Sequence, residues 1–254
     1  MQRFDLRGKT ALVTGGNEGI GAGIARGLLE CGAAVIIVGR SITKNDKMVA
    51  ELRTLGPPVS AVAIDVTDES QCYTAVQEAV QRNGRRDVLV NNAGIGNGKP
   101  PQALTLLEWH EVMNTNLTSA FVLSQAAYPE MKKGGGGKII NIGSMAAHLA
   151  FASVPAYGAS KAGIVQFGRA CAAAWAKDNI QVNTILPGYV DTAMTRQRLQ
   201  RDALLHARLL ARTPAGRMGT PDDFAGIAAF LASSASDFIT GAEIPVDGGF
   251  LWAI

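Results

Sequence analysis

Residues 10–30, TALVTGGNEGIGAGIARGLLE, carry a strand pattern, a glycine turn and a helix pattern in unbroken succession. TALVT is continuously apolar rather than alternating, the mark of a strand covered on both faces. Residues 19–30 have the length and composition of a helix. Between them stand Gly15, Gly19 and Gly21, spaced Gly-x-x-x-Gly-x-Gly rather than in the commoner Gly-x-Gly-x-x-Gly order. Glycines here permit a tight turn and let backbone N–H groups approach a pyrophosphate, while the helix N-terminus supplies partial positive charge. A plain turn would also use glycine, so the rest of the chain has to decide.

The same alternation continues outward. AAVIIV is followed by a helix pattern over residues 45–55, VSAVAI by one over 69–82, DVLV by one over 105–131, and KIINI by one over 155–177. IQVNTIL, a helix pattern over 221–232 and AEIPV complete the series. The expected fold is α/β: a single-domain, Rossmann-type doubly wound parallel sheet with helices on both faces, spanning residues 1–254. With 254 residues, 47% hydrophobic and 18% charged, the chain has material for one large core and is not dominated by disorder. A net charge of +3 gives no case for a nucleic-acid or membrane surface. The start, MQRFDLRGKT, lacks a secretory pattern, and no apolar run approaches the roughly 18 residues of a span, so a cytoplasmic location is expected. Cys31, Cys72 and Cys171 are scattered and read as reduced thiols; with the equally scattered His110, His148 and His206 they suggest no metal site.

Two positions bear on which dinucleotide is bound. The second strand pattern ends at Gly39 and Arg40, where an acid would accept bonds from both ribose hydroxyls. A guanidinium instead suits a 2′-phosphate, so Arg40 favours NADP(H). Glu18, in the glycine turn, would repel that phosphate and leaves NAD(H) open. Asp65, after the third strand pattern, is placed to accept from the adenine amino group or simply to form a turn. The small residues of NNAG, Asn91 to Gly94, let a cofactor lie close to the backbone.

The chemistry-bearing stretch is residues 144–161, SMAAHLAFASVPAYGASK. On a helix Tyr157 and Lys161 share a face, one turn apart. A phenol ionises near pH ~10, and a neighbouring cation favours the phenolate, making tyrosine a usable proton donor and acceptor. Ser144 follows KIINIGS at a strand's carboxyl edge, where open parallel sheets bind ligands. A surface helix pair is the alternative for Tyr157 and Lys161.

TGGNEGIG, the DV at Asp65, NNAG, NTN at Asn114 to Asn116, NIGS, YGASK and PGYVDT occur in the order found in the short-chain dehydrogenase/reductase family, which the chain resembles from Gly8 to Gly249. The resemblance implies that Tyr157 is the catalytic acid/base, that Lys161 lowers its pKa and holds the nicotinamide ribose, that Ser144 polarises the substrate carbonyl, and that Asn116 serves a proton relay behind Lys161. It implies a cofactor site of Gly15, Asn17, Glu18, Gly19, Ile20, Gly21, Arg40, Asp65, Val66, Asn92, Ala93, Gly94, Tyr157, Lys161, Pro187, Gly188, Val190 and Thr192. The activity implied is reversible hydride transfer between a nicotinamide cofactor and a secondary alcohol or its ketone. FDLRGK, SQAA, GGKIINIGSM, TPAGRMG and FLASSASDFITG resemble members that act on sugar acids. A 3-oxoacyl thioester reductase is the enzyme alternative, and a non-catalytic dinucleotide sensor the alternative of another class.

His148, Phe151 and Tyr189 are candidates for the substrate side. Residues 189–217 read as a lid of one or two amphipathic helices, with Arg196, Arg198, Arg201, Arg208, Arg212 and Arg217 against Asp202 and an apolar stripe of Leu199, Leu204, Leu205, Leu209 and Leu210. A cationic lid would favour an anionic substrate; a solvated basic face is the alternative. The glycine run 134–137 precedes a strand and reads as a flexible surface loop. The apolar tail, Phe250, Leu251, Trp252 and Ile254, is expected to pack in a subunit interface of a homotetramer.

Overall fold

The computed structural model describes residues 2–84, 87–200 and 204–253. Seven parallel strands, β1 (Thr10–Thr14), β2 (Ala34–Val38), β3 (Val59–Val62), β4 (Val88–Asn91), β5 (Gly137–Ile142), β6 (Ile180–Pro187) and β7 (Glu243–Val246), form one sheet in the order β3-β2-β1-β4-β5-β6-β7. The strands pair parallel throughout, for example Leu12 with Ile36 on one side and Leu89 on the other. The order reverses between β1 and β4, which opens a crevice at their carboxyl ends.

The uninterrupted apolar strands are explained by two cores. Ala11, Val13, Val35, Ile37, Val88, Val90, Ile140 and Ile142 face one side, with Ile24 and Leu28 of α1 (Gly19–Glu30) and Ala228 and Leu231 of α9 (Ala225–Ala232). The alternate residues Leu12, Ile36, Leu89 and Ile139 face the other, with Ala75 and Val76 of α3 (Glu69–Asn83), Leu123 of α5 (Ser119–Lys133) and Cys171 of α6 (Pro155–Trp175). Period two holds, but both faces are buried. Gly23 marks how closely α1 approaches its neighbour: a Cβ there would lie 2.0 Å from the Pro221 carbonyl oxygen. Burial pushes the thiols of Cys72 and Cys171 up to about 11, and none of the cysteines is disulfide-bonded.

Several boundaries differ from the sequence expectation for local reasons. The second helix, α2 (Ile42–Leu52), starts earlier than residue 45 because the Ser41 side chain caps it, accepting from the Lys44 N–H. The helix expected over residues 105–131 is α4 (Leu106–Met113), capped reciprocally by Thr105 and Glu108, then a π-helical turn (Asn114–Thr118), then α5. The segment over 221–232 begins as a 3-10 turn, Pro221–Phe224, before α9. The glycine run is a bonded turn rather than a loose loop: Gly136 N–H donates to Met131 O at 2.9 Å, and the Asn179 side chain donates to Gly135 O at 3.0 Å.

Residues 189–217 contain α7 (Ala193–Leu199) and α8 (Leu205–Arg212), as a two-helix lid requires. Leu199, Leu205 and Leu209 pack on Met145, Tyr189, Phe250 and Leu251, whereas Leu204 is exposed. The tail expectation is therefore corrected for Phe250 and Leu251, which are buried within their own chain under the lid. The Asp247 carboxylate holds them there by accepting from the N–H groups of Gly249 at 2.9 Å and Leu251 at 2.7 Å. Trp252 stays exposed, and Ile254 lies outside the described residues. Among the described residues no helix is long and apolar enough to cross a membrane, and no group of three or more His, Cys, Asp or Glu is placed to hold a metal ion.

Candidate active site

The carboxyl ends of β1 and β4 are tied together by Thr14. Its hydroxyl accepts from the N–H groups of Asn92 at 2.9 Å and Ala93 at 3.0 Å and donates to Val90 O at 3.2 Å. The Asn92 amide returns a bond to Thr14 O at 2.8 Å. Gly15 has φ +62°, and a Cβ there would come within 2.8 Å of the Asn92 amide nitrogen; a Cβ on Gly21 would meet Gly15 O at 2.3 Å. The turn is thus a bare backbone cradle. Glu18 at the N-cap of α1 makes no side-chain bond to the first-turn N–H groups, leaving them directed out of the helix toward the crevice. These features fit the pyrophosphate of a dinucleotide. Gly19 stands against Thr192, whose hydroxyl in turn accepts from Thr195 N–H at 3.3 Å at the start of α7. Ile20 packs against the core, and the Val190 side chain is buried in it, so only the backbones of these two can face a cofactor. Val66 is likewise packed against the core, and Gly188 is tied by its N–H to Val246 O at 3.0 Å.

At the ribose end, Arg40 is largely exposed, 3.7 Å from Asp65. Asp65 Oδ1 already accepts from the N–H and hydroxyl of Thr67, which, with the nearby Arg40, holds its carboxyl below the usual range. Glu18 is paired with Lys44 at 2.8 Å. The buried Asn45 side chain accepts from Asn17 at 2.7 Å and donates to Gly39 O at 2.8 Å, joining the glycine turn to the end of β2. Thr14, Lys44 and Asn45 had no signal in the sequence beyond ordinary polar residues near strand ends.

The residues expected to be catalytic converge on the next loops. Ser144 lies two residues beyond β5 in extended backbone, its hydroxyl accepting from Ala146 N–H at 3.1 Å. Tyr157 and Lys161 stand one turn apart on α6, with the Lys161 ammonium 5.6 Å from the Tyr157 ring centroid. Lys161 is buried, donates to Ile142 O at 2.7 Å, and burial pushes it down to about 8. Asn116, in the π turn, clasps Ile95 both ways: Oδ1 accepts from its N–H at 2.8 Å and Nδ2 donates to its carbonyl at 2.9 Å. Nδ2 also donates to Ser160 at 3.0 Å, and Ser160 donates to Tyr157 O at 2.8 Å. The extra residue of a π turn re-aims side chains at such sites. Gly94 stands where these groups meet, its would-be Cβ 3.4 Å from Asn116 Oδ1 and 3.6 Å from Lys161 Nζ.

Ser144 and Tyr157 open on a cavity of about 390 Å³, lined also by Asn97, Phe151, Ser153, Tyr189 and, from the lid, Gln197. Phe151 and Tyr189, the other substrate-side candidates, are in this lining. His148 is not: its Nε2 lies 2.5 Å from Glu243 Oε2 on β7, outside this lining, and Arg169 pairs with the same carboxylate. Three of the lid arginines are also committed elsewhere. Arg196 pairs with Asp191 at 3.3 Å, Arg212 lies 4.6 Å over the Phe250 ring, and Arg217 pairs with Asp223 at 2.7 Å. Arg208 is exposed; Arg201 and Asp202 lie outside the described residues, as does the Arg198 side chain.

A family model described as enoyl-(acyl carrier protein) reductase matches residues 15–251. The chain is 42% identical over 252 residues to a 2-dehydro-3-deoxy-D-gluconate 5-dehydrogenase of Dickeya dadantii, covering 99% of this chain and 98% of that protein. The chain belongs to the short-chain dehydrogenase/reductase family. Other members of the family lie nearly as near. A tropinone reductase homolog of Arabidopsis thaliana is 38% identical over 98% of this chain and 94% of its own. The crystal structure of a gluconate 5-dehydrogenase from Burkholderia cenocepacia in complex with NADP and tartrate superposes with a TM-score of 0.94 at 40% identity, covering 99% of this chain and 98% of that one. As a short-chain dehydrogenase/reductase the protein is an oxidoreductase that uses a nicotinamide cofactor to interconvert a secondary alcohol and a ketone.

Proposed function

We propose that this short-chain dehydrogenase/reductase interconverts a sugar acid and its keto acid with NADP(H). The observation that carries the reading is the cavity of about 390 Å³ into which Ser144 and Tyr157 open, whose lining sets Asn97, Ser153 and Gln197 among apolar neighbours such as Met145, Phe151 and Met194. The sugar-acid relatives support the same substrate class.

Thr14, Gly15, Gly19, Asn92 and Thr192 would hold the cofactor, and when bound it supplies or accepts the hydride. In the reducing direction Tyr157 gives its phenolic proton to the developing alkoxide. Ser144 donates a hydrogen bond to the same oxygen, a preorganised donor aimed at charge that appears only as the reaction proceeds. Lys161, charged, favours the phenolate left behind. Asn116 fixes the Gly94–Ile95 loop against α6 and keeps Lys161 and Tyr157 in register. In the oxidising direction the phenolate takes the alcohol proton.

NADP(H) preference is supported by the solvent-facing guanidinium of Arg40, with Lys44 neutralising Glu18 at the same edge. Charge-assisted bonds are worth roughly 1.5–3 kcal/mol. Arg40→Ala should accordingly lower kcat/KM for NADPH by about ten- to a hundredfold and leave NADH within about threefold. Equal loss with both cofactors would remove Arg40 from phosphate recognition. A homotetramer is part of the same proposal, supported by the exposed Phe121, Phe238 and Trp252. The test of the function is cofactor consumption against polyhydroxylated keto acids, neutral ketones and 3-oxoacyl thioesters. Turnover confined to thioesters would replace the sugar-acid reading.

A further inference from the structure

Besides Ser144 and Tyr157, the cavity lining includes three polar side chains drawn from three separate elements. Ser153 stands on the loop four residues before Tyr157, Gln197 on lid helix α7, and Asn97 on the loop after β4. The side chains of Ser153 and Gln197 have no hydrogen-bond partner among the described residues. Asn97 directs its amide NH₂ toward Glu108 O at 3.4 Å, while its Oδ1 is shut off from solvent without a donor. Only Asn97 Oδ1 is buried and unpaired, a state native folds as a rule avoid, while Ser153 is half-buried and Gln197 exposed; all three are open to a ligand that pairs them.

The same lining carries no guanidinium or ammonium among its described residues. Arg196, the neighbour of Gln197, turns away to Asp191, and Arg212 and Arg217 are held by Phe250 and Asp223. Among the described lid arginines, none lines this cavity. A hydroxyl or amide N–H can still donate to a carboxylate, and an amide carbonyl, which only accepts, can pair with a substrate hydroxyl.

We propose that the far end of the substrate is read by neutral groups: Ser153 and Gln197 donate to its carboxylate, and Asn97 Oδ1 accepts from a hydroxyl of its carbon chain. The assignment rests on the sugar-acid reading above. Arg196, Arg212 and Arg217, held elsewhere, contribute only a diffuse field that salt screens.

The experiment is steady-state kinetics of Ser153→Ala, Gln197→Leu, Gln197→Glu and Arg196→Ala with NADPH and a polyhydroxylated keto acid, its uncharged amide, and cyclohexanone as a ketone lacking both groups. Thermal melting of each variant guards against misfolding. Ser153→Ala and Gln197→Leu should each raise KM for the keto acid about tenfold with kcat within about threefold, and leave cyclohexanone unchanged. Gln197→Glu should discriminate against the acid far more than against its amide, because it sets one carboxylate against another. Arg196→Ala should stay within about twofold of wild type. The assignment is overturned if the Ser153 and Gln197 variants are silent on an acid that the wild type turns over, or if Arg196→Ala alone raises KM. A wild type inert toward every polyhydroxylated keto acid overturns the functional reading itself.

Discussion

Tyr157→Phe should fold, melt within a degree or two of the wild type and bind NADPH normally, yet lose about a thousandfold in kcat. Only one oxygen is removed, from a half-buried ring whose packing on α6 is otherwise kept. What goes with it is the proton that the alkoxide needs, and positioned acid–base groups contribute roughly 10²–10⁴ in rate. Ser144 remains to polarise the carbonyl, so the variant should retain substrate affinity while its kcat collapses. A variant keeping more than about a tenth of kcat would remove Tyr157 from proton transfer.

Lys161→Met should produce a more stable, inactive protein. Burial pushes the Lys161 ammonium down to about 8 from an ordinary value near 10.5. Below pH 8 folded and unfolded chains both carry the proton, and the folded one bears the full cost of burying it, about 3 kcal/mol. Between pH 8 and 10.5 the unfolded chain binds the proton and the folded chain does not, so wild-type stability rises with pH across that window. Methionine escapes the cost but leaves Ile142 O without its donor, which takes back about 1 kcal/mol. The expected net is about 2 kcal/mol at pH 7, roughly 5 °C in Tm, with the advantage shrinking toward pH 10. Turnover should fall at least a hundredfold, since nothing then favours the phenolate. A destabilised Lys161→Met across the whole pH range would refute this account of Lys161.

What could be read in the sequence is what short spacing controls. The strand from Thr10 to Thr14, the glycine turn and the Tyr157–Lys161 pair each depend on neighbours within a turn or two, and each stands where the pattern put it. Asn116 is different: its π turn breaks a helix that periodicity ran straight through, because the side chain docks on the Ile95 backbone, 21 residues away. His148 was drawn to the substrate by its place between Ser144 and Tyr157, yet its partner Glu243 is 95 residues downstream on the last strand. Lys44 offsets Glu18 across 26 residues of sequence, and no local pattern joins them. Phe250 and Leu251 looked like an exposed apolar end because the hydrophobic underside of the lid, Leu205 and Leu209, is invisible until the chain has folded. Residues 196–217 likewise form a basic cluster in one dimension, whereas in three Arg196, Arg212 and Arg217 disperse onto Asp191, Phe250 and Asp223.

The central claim is that hydride and proton add across a carbonyl at Ser144 and Tyr157. It is tested most directly by incubating the enzyme and a polyhydroxylated keto acid with NADPH deuterated at the transferable position, then locating the label in the product by NMR. The account predicts one deuterium on the carbon that bears the new hydroxyl, in a single configuration, and none from Tyr157→Phe on the same time scale. Deuterium on a saturated carbon of a reduced double bond, or consumption of the cofactor with no label in the product, would contradict it.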